Sequence, residues 1–374
     1  MIIPVSRPNI GTAEIGFVNE ALQANAISGV FGSFLDRFES EFASFCGSKY
    51  AISCSNGTTA LHLALVAAGV KKGDEVLVST LTNMASFFAV LYIGAKPVPV
   101  DILLNTLNMD PVDLERKITK KSRAIMVVHL FGHPVEMDPV IEMAKVHNLI
   151  VIEDCAEAHG ATYNGKTVGS IGNAGCFSFF ANKILTTGEG GMVTTDDAKL
   201  AEKARSLKAL AFGSINKFMH DDIGYNYRMT NLQAAIGCGQ VSVANQLVEK
   251  RREIARYYSG RFEAYREHLA LPIELPYAKN VIWMYHVVLR GVLADKRSFI
   301  TAALKDQGIE TREGFIPYNL QQIFLDRGWT KITDCPVANS VAYSSFYLPT
   351  GPTLTHEEMD YVATKLTSIL DTII

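Results

Sequence analysis

The fifteen residues from Phe177 to Gly191 read FSFFANKILTTGEGG and set Lys183 between a run of Phe and a Gly-rich turn. Alone, this lysine reads most simply as a surface charge at a strand end. The sharper reading is a desolvated amine with its pKa pushed down, poised to attack a carbonyl carbon. A second stretch, CSNGTTALHLAL from Cys54, has the order strand, turn, helix. There Gly57 permits a tight turn, and Thr58 and Thr59 put N–H and hydroxyl donors at a helix start. Such an end favours phosphate through its free amides and dipole, although an ordinary capped helix gives the same pattern. A third stretch, LIVIEDCAEAHGA from Leu149, ends a strand in Asp154, with Glu157 and His159 close behind. An acid there serves as a helix cap or grips a cationic ring nitrogen, and a lone histidine is more often structural than catalytic.

The order of the three decides between these readings. Phosphate donors, then a carboxylate at a strand end, then a lysine at the next strand end are what pyridoxal phosphate requires. That cofactor needs a phosphate cradle, an acid to keep its pyridine nitrogen protonated, and a lysine for the Schiff base.

Such residues must be carried by elements. YAISCS, DEVLVS, KPVPVD, RAIMVVHLFG and LIVIED read as apolar strands, and amphipathic helices alternate with most of them. This α/β alternation predicts a mostly parallel sheet covered on both faces. CFSFF and GGMVTT read as a strand pair turning at the Gly-rich stretch. Beyond about residue 240, long polar-headed helices lead into a smaller α+β unit. Its strands are VIWMYHVVLRG and IETREGFIP, and its last helix follows Thr355 as N-cap. The expected organisation is a large cofactor-binding domain over 1–240 and a small C-terminal domain over 241–374.

Composition limits the alternatives. With 374 residues, 48% of them hydrophobic, and a net charge of -3, the chain is built for a large core and offers no basic block to nucleic acid. Six scattered cysteines show no paired spacing for zinc, so buried thiols and no metal are expected. The N-terminus lacks the apolar run of a signal peptide, and no stretch approaches the ~18 apolar residues of a membrane span. A cytoplasmic protein is expected.

Over nearly its whole length the chain resembles the DegT/DnrJ/EryC1/StrS sugar aminotransferases, a family of fold-type I pyridoxal-phosphate enzymes. The resemblance rests on SNGTTALHLAL, IEDCAEAHGATYNGKTVGSIG, FSFFANKILTTGEGGMVTT, GYNYRMTNLQAAIG and LPTGPTLTHEEMDYV. Within the family it is most similar to the GDP-perosamine synthase subgroup, which carries Glu where many relatives carry Gln, as at Glu157. The resemblance implies that Lys183 bonds the cofactor, that Asp154 faces the pyridine nitrogen and that Glu157 sits near the ring oxygen. It further implies Gly57, Thr58 and Ser178 on the phosphate, with Asn226 reaching that phosphate from a neighbouring subunit of a homodimer. L-glutamate would be the amino donor. The acceptor would be a nucleotide-linked 4-keto-6-deoxy sugar for surface polysaccharide. A small phosphorylated ketone, or a regulator that kept the fold, are the alternatives.

Departures from the family pattern fall on the substrate side. Asn83 stands where the family has an aromatic that stacks on the cofactor. In ETREGFIPYN, Arg312, Phe315 and Pro317 match the subgroup, whereas Ile316 and Asn319 replace two histidines. Arg312, Phe315 and Tyr318 are the candidate substrate contacts. ANAISGVFGSF near the N-terminus also differs from the family's usual sequence.

Overall fold

The computed structural model describes residues 2–220 and 222–374. Seven strands form the main sheet, in the spatial order Tyr50–Cys54, Gly191–Thr195, Ala174–Ser178, Ile150–Asp154, Ser122–Val128, Glu75–Ser79 and Lys96–Val100. Only Gly191–Thr195 runs against its neighbours. The five strands from Ala174–Ser178 to Lys96–Val100 pair in parallel. Most are buried along their length, as the continuous apolar runs predict for a sheet covered on both faces. The expected α/β class and the strand pair around the Gly-rich turn are both present, with Ser178 opposite Gly191.

Two helices show their ends set by local chemistry. Asn56 caps the helix Gly57–Ala67, its side chain accepting from Thr59 N. Thr355 caps His356–Leu370 in a reciprocal capping box with Glu358. Helices Asn231–Ser242 and Ala244–Arg261 follow almost without a break. The far half of the second one, with Ile254, Tyr258 and Phe262, enters the core of the C-terminal unit.

That unit is built on a four-stranded antiparallel sheet of Leu269–Ala270, Tyr285–Leu289, Ser345–Leu348 and Arg312–Glu313. IETREGFIP contributes only the two residues Arg312–Glu313 to it. The chain then crosses to the large sheet, where Tyr318 N donates to Thr80 O. Ile3, at the start of the chain, bridges to Ile309 and is buried with this C-terminal core.

Candidate active site

The carboxyl ends of parallel strands, where ligands of open α/β sheets bind, meet the C-terminal unit in a cleft of ≈ 590 Å³. The sequence-predicted residues Gly57, Thr58, Asn83, Asp154, Glu157, Ser178, Lys183 and Phe315 all line it. Strand periodicity explains Ser178. Phe177 and Phe179 point to the opposite face, into an aromatic cluster with Phe38 and Phe42, and leave the serine facing the cleft.

Lys183 follows this strand in a turn whose Lys183 N donates to Phe180 O. Its ammonium nitrogen lies 4.0 Å from the centre of the Trp283 ring and 3.9 Å from Glu157 Oε1. Burial pulls its pKa below the ordinary lysine value, and the nearby carboxylates of Glu157 and Asp154 only partly oppose this. Asp154 is buried at the end of its strand. Its Oδ2 accepts from Ser86 Oγ at 2.8 Å and its Oδ1 from Ala156 N at 3.1 Å. Burial raises its carboxyl above the usual range, against these two hydrogen bonds and the charge of Lys183. Glu157 is pushed up to about 7 by burial, with Lys183 and the Phe131 N–H acting in the other direction.

At the far end of the cleft, the first-turn amides of Gly57 and Thr58 are left over, because a helix supplies no internal acceptor there. The reason for glycine differs from the one expected. Gly57 has an ordinary φ, but a Cβ on it would stand 2.7 Å from Ser178 Cβ, so the helix start presses onto the neighbouring strand end. Thr59 is spent on the cap, its hydroxyl donating to Asn56 O and accepting from Asn56 N. The hydroxyls of Thr58 and Ser178 remain for a ligand.

A phosphorylated pyridine cofactor fits this donor set. Unsatisfied helix amides and two hydroxyls suit the phosphate, a buried carboxylate suits a protonated ring nitrogen, and a desolvated amine lines the same cleft.

Other sequence-predicted residues lie elsewhere. His159 is fully buried among Phe42, Phe177 and Phe179 and does not reach the cleft; burial lowers it to about 3, so it is neutral. Tyr318 is buried between Phe87 and Phe324, with ring centres 4.1 and 4.3 Å away, and is not among the cleft residues. Arg312 is exposed and paired with Glu310 outside the cleft. Asn319 is buried against Thr80, Ile332 and Asn339. Asn226 is exposed and accepts from Arg228, outside its own cleft. Asn83 accepts from Ala85 N in a short turn at the cleft edge.

His129, Glu153 and Cys155 come within metal-binding distance of one another. Glu153 is already saturated by the Gly169, Ile171 and Gly172 amides and by His129 Nε2, while His129 Nδ1 accepts from Val135 N. The cluster is a hydrogen-bonded strut. All six cysteines are buried. Among the described residues, no helix is long and apolar enough to cross a membrane.

Sequence reasoning did not single out Trp283, Tyr347, Tyr92 or Asn182, which also line the cleft. Trp283 donates from Nε1 to Asn182 O and so packs directly on the lysine turn. One of only two tryptophans in the chain, it lay inside a strand-like run that gave no separate signal.

The sequence profile of the DegT/DnrJ/EryC1/StrS aminotransferase family matches residues 8–367. A GDP-perosamine synthase of Caulobacter vibrioides is 42% identical over 98% of this chain and 98% of its own length. An aminotransferase of Psychrobacter cryohalolentis superposes with a TM-score of 0.92 at 33% identity, covering 99% of this chain and all of that one. DesV of S. venezuelae, solved in complex with a ketimine intermediate, superposes with a TM-score of 0.88 at 31% identity over 97% and 98% of the two chains.

Proposed function

We propose, because this chain belongs to the DegT/DnrJ/EryC1/StrS aminotransferase family, that its cleft moves an amino group from L-glutamate to a nucleotide-linked 4-keto-6-deoxy sugar. The protein is a pyridoxal-phosphate-dependent sugar aminotransferase. The observation that carries the amino-transfer chemistry is the meeting of Lys183, Asp154 and Glu157 in one cleft that includes the helix start at Gly57. The identity to a GDP-perosamine synthase favours a GDP-linked acceptor of the kind that feeds surface polysaccharide.

When bound, pyridoxal phosphate supplies a carbonyl carbon that exchanges oxygen for nitrogen and a ring that withdraws electrons from the adjacent carbon. In our reading, the helix start at Gly57 and Thr58, with Ser178 Oγ, anchors the phosphate. Asp154 would hold a proton on the ring nitrogen, since a cation there relieves the burial that raises its carboxyl. Lys183, whose pKa burial lowers, would take the proton from the donor's α-carbon and return one on the acceptor half-reaction. Glu157, close to 7, can donate or accept at the ring oxygen. Trp283, against the amine, keeps water from it.

The enzyme acts, on this reading, in the cytoplasm as a homodimer with shared sites. Tyr225 and Tyr227 turn inward onto His62, so Asn226 between them points outward. Val30 and Phe31, 68% and 70% exposed, follow Gly29, which packs against Arg228 and Met229. An exposed apolar patch beside a polar residue with no ligand of its own suits a second copy.

Glutamate-dependent turnover against GDP-, UDP-, dTDP- and CDP-linked keto sugars, read by product mass, tests the reading. A GDP-linked amino sugar is expected. Reaction with a small keto-phosphate alone, and with no nucleotide sugar, would overturn the acceptor class. Lys183→Ala is expected to abolish turnover and the near-visible absorbance that marks a cofactor bonded to the lysine.

A further inference from the structure

Arg251 is the largest fully buried side chain, on the helix Ala244–Arg261. Among the described residues no carboxylate lies within ion-pair distance of it, which is unusual for a buried guanidinium. Its partners are four main-chain carbonyls. Nη2 donates to Asn182 O and Lys183 O, both at 3.4 Å. Nη1 donates to Thr350 O at 3.0 Å and to Trp283 O. The first two belong to the lysine turn. The others belong to the C-terminal unit: Trp283 leads into the strand Tyr285–Leu289, and Thr350 follows the strand Ser345–Leu348.

We propose that Arg251 is a positioning residue for Lys183: its guanidinium ties the lysine turn to the C-terminal unit and sets a fixed buried cation against that turn. The fork geometry explains the tie, since one nitrogen of the planar group reaches the lysine turn and the other reaches two segments of the C-terminal unit. The charge explains why an arginine is held where an apolar side chain would avoid the desolvation cost. Two like charges in a dry interior disfavour each other, and the lysine is the one able to release its proton. Burial is the main cause that lowers Lys183, and the Arg251 charge adds to it in the same direction. The groups facing Lys183 on the other side are Glu157 and Asp154, which favour the ammonium, while His159 is neutral. Arg251 itself is lowered to about 9 by burial and stays charged at neutral pH.

The inference rests on Lys183 being the reactive amine, and its test measures that amine without turnover. The full-length chain, freed of cofactor, is treated with cyanate across a pH series, and carbamylation of Lys183 is followed by peptide mass. Arg251→Met is expected to raise the pKa of Lys183, slowing its modification at pH 7.5 by about twofold or more. Arg251→Lys keeps the charge but loses the fork. It should hold the wild-type pH profile while amide hydrogen exchange rises in 180–187 and 348–352. An Arg251→Met chain with the wild-type profile for Lys183 overturns the proposal. So does an Arg251→Lys chain that slows as much as Arg251→Met. If Arg251→Met does not fold, Arg251→Lys alone decides: faster exchange confined to those segments supports the tie, and unchanged or uniformly faster exchange refutes it.

Discussion

Glu157 shows how much a single side chain in the cleft can be made to report. Its carboxyl is at about 7 in the fold, against an ordinary value near 4.5, and burial is the main cause. Between those two values the folded chain keeps a proton that the unfolded chain has released. Stability therefore falls as pH rises through that window, by up to about 3 kcal/mol for a shift of this size. Glu157→Gln removes the titration. In denaturant unfolding of the cofactor-free protein, the advantage of Glu157→Gln over wild type should grow between pH 5 and pH 7.5; an equal difference at both pH values would refute the shift. At this scale the sequence brought Asp154 and Lys183 forward because each ends or follows a strand within a short motif, while the family resemblance pointed to Glu157 and Ser178; all four line the cleft. Trp283 and Tyr347 line the same cleft from the C-terminal unit, and Arg251 reaches the lysine turn from the connecting helix. Each is a lone residue in an unremarked run, so nothing local distinguishes it. Tyr318 shows the reverse failure: its motif drew attention, but the ring fills a gap between Phe87 and Phe324.

Elements place these residues, and the helix start at Gly57 is the tightest such placement. A Cβ at Gly57 would meet Ser178 Cβ at 2.7 Å and Cα at 3.3 Å, so the strand end or the helix must move. Gly57→Ala should weaken pyridoxal phosphate binding by about tenfold or more and cost about 1–3 kcal/mol of stability through overpacking. Gly16 is the control. It lies inside the helix Thr12–Gln23 with open space where a Cβ would go, so Gly16→Ala should leave cofactor affinity alone and add about 0.5–1 kcal/mol. Fluorescence titration of the cofactor and thermal melts measure both. Helix and strand identities in the main sheet were legible because buried parallel strands are continuously apolar, and because caps such as Thr355 carry their own signal. The IETREGFIP segment was less legible. Its apolar residues promised a longer strand, but Pro317 has no N–H to donate and Tyr318 N is taken by Thr80 O. Tertiary pairing, not local pattern, ended that strand.

At the scale of the whole molecule, the question is where Asn226 works. Its backbone bridges Ala209, its neighbours Tyr225 and Tyr227 pack inward, and its own cleft does not include it. If Asn226 reaches the phosphate of a second copy, damage to Lys183 and damage to Asn226 lie in different sites of a mixed dimer. Lys183→Ala chains and Asn226→Ala chains should each be nearly inactive alone, the first through lost chemistry and the second through weak phosphate binding. In a dimer containing one of each, one site combines the intact Lys183 of one chain with the intact Asn226 of the other. The second site carries both lesions. Random reassociation of an equal mixture makes about half of the dimers mixed, with one good site in two, so activity should recover to about a quarter of wild type. Unfolding and refolding the two variants together, against each refolded separately, supplies the measurement. If Asn226 instead served its own chain, no pairing would restore an intact site, and the mixture would show no more than the average of its parts. The same experiment with Lys183→Ala and Asp154→Ala should show no recovery, because both residues line the cleft of a single chain.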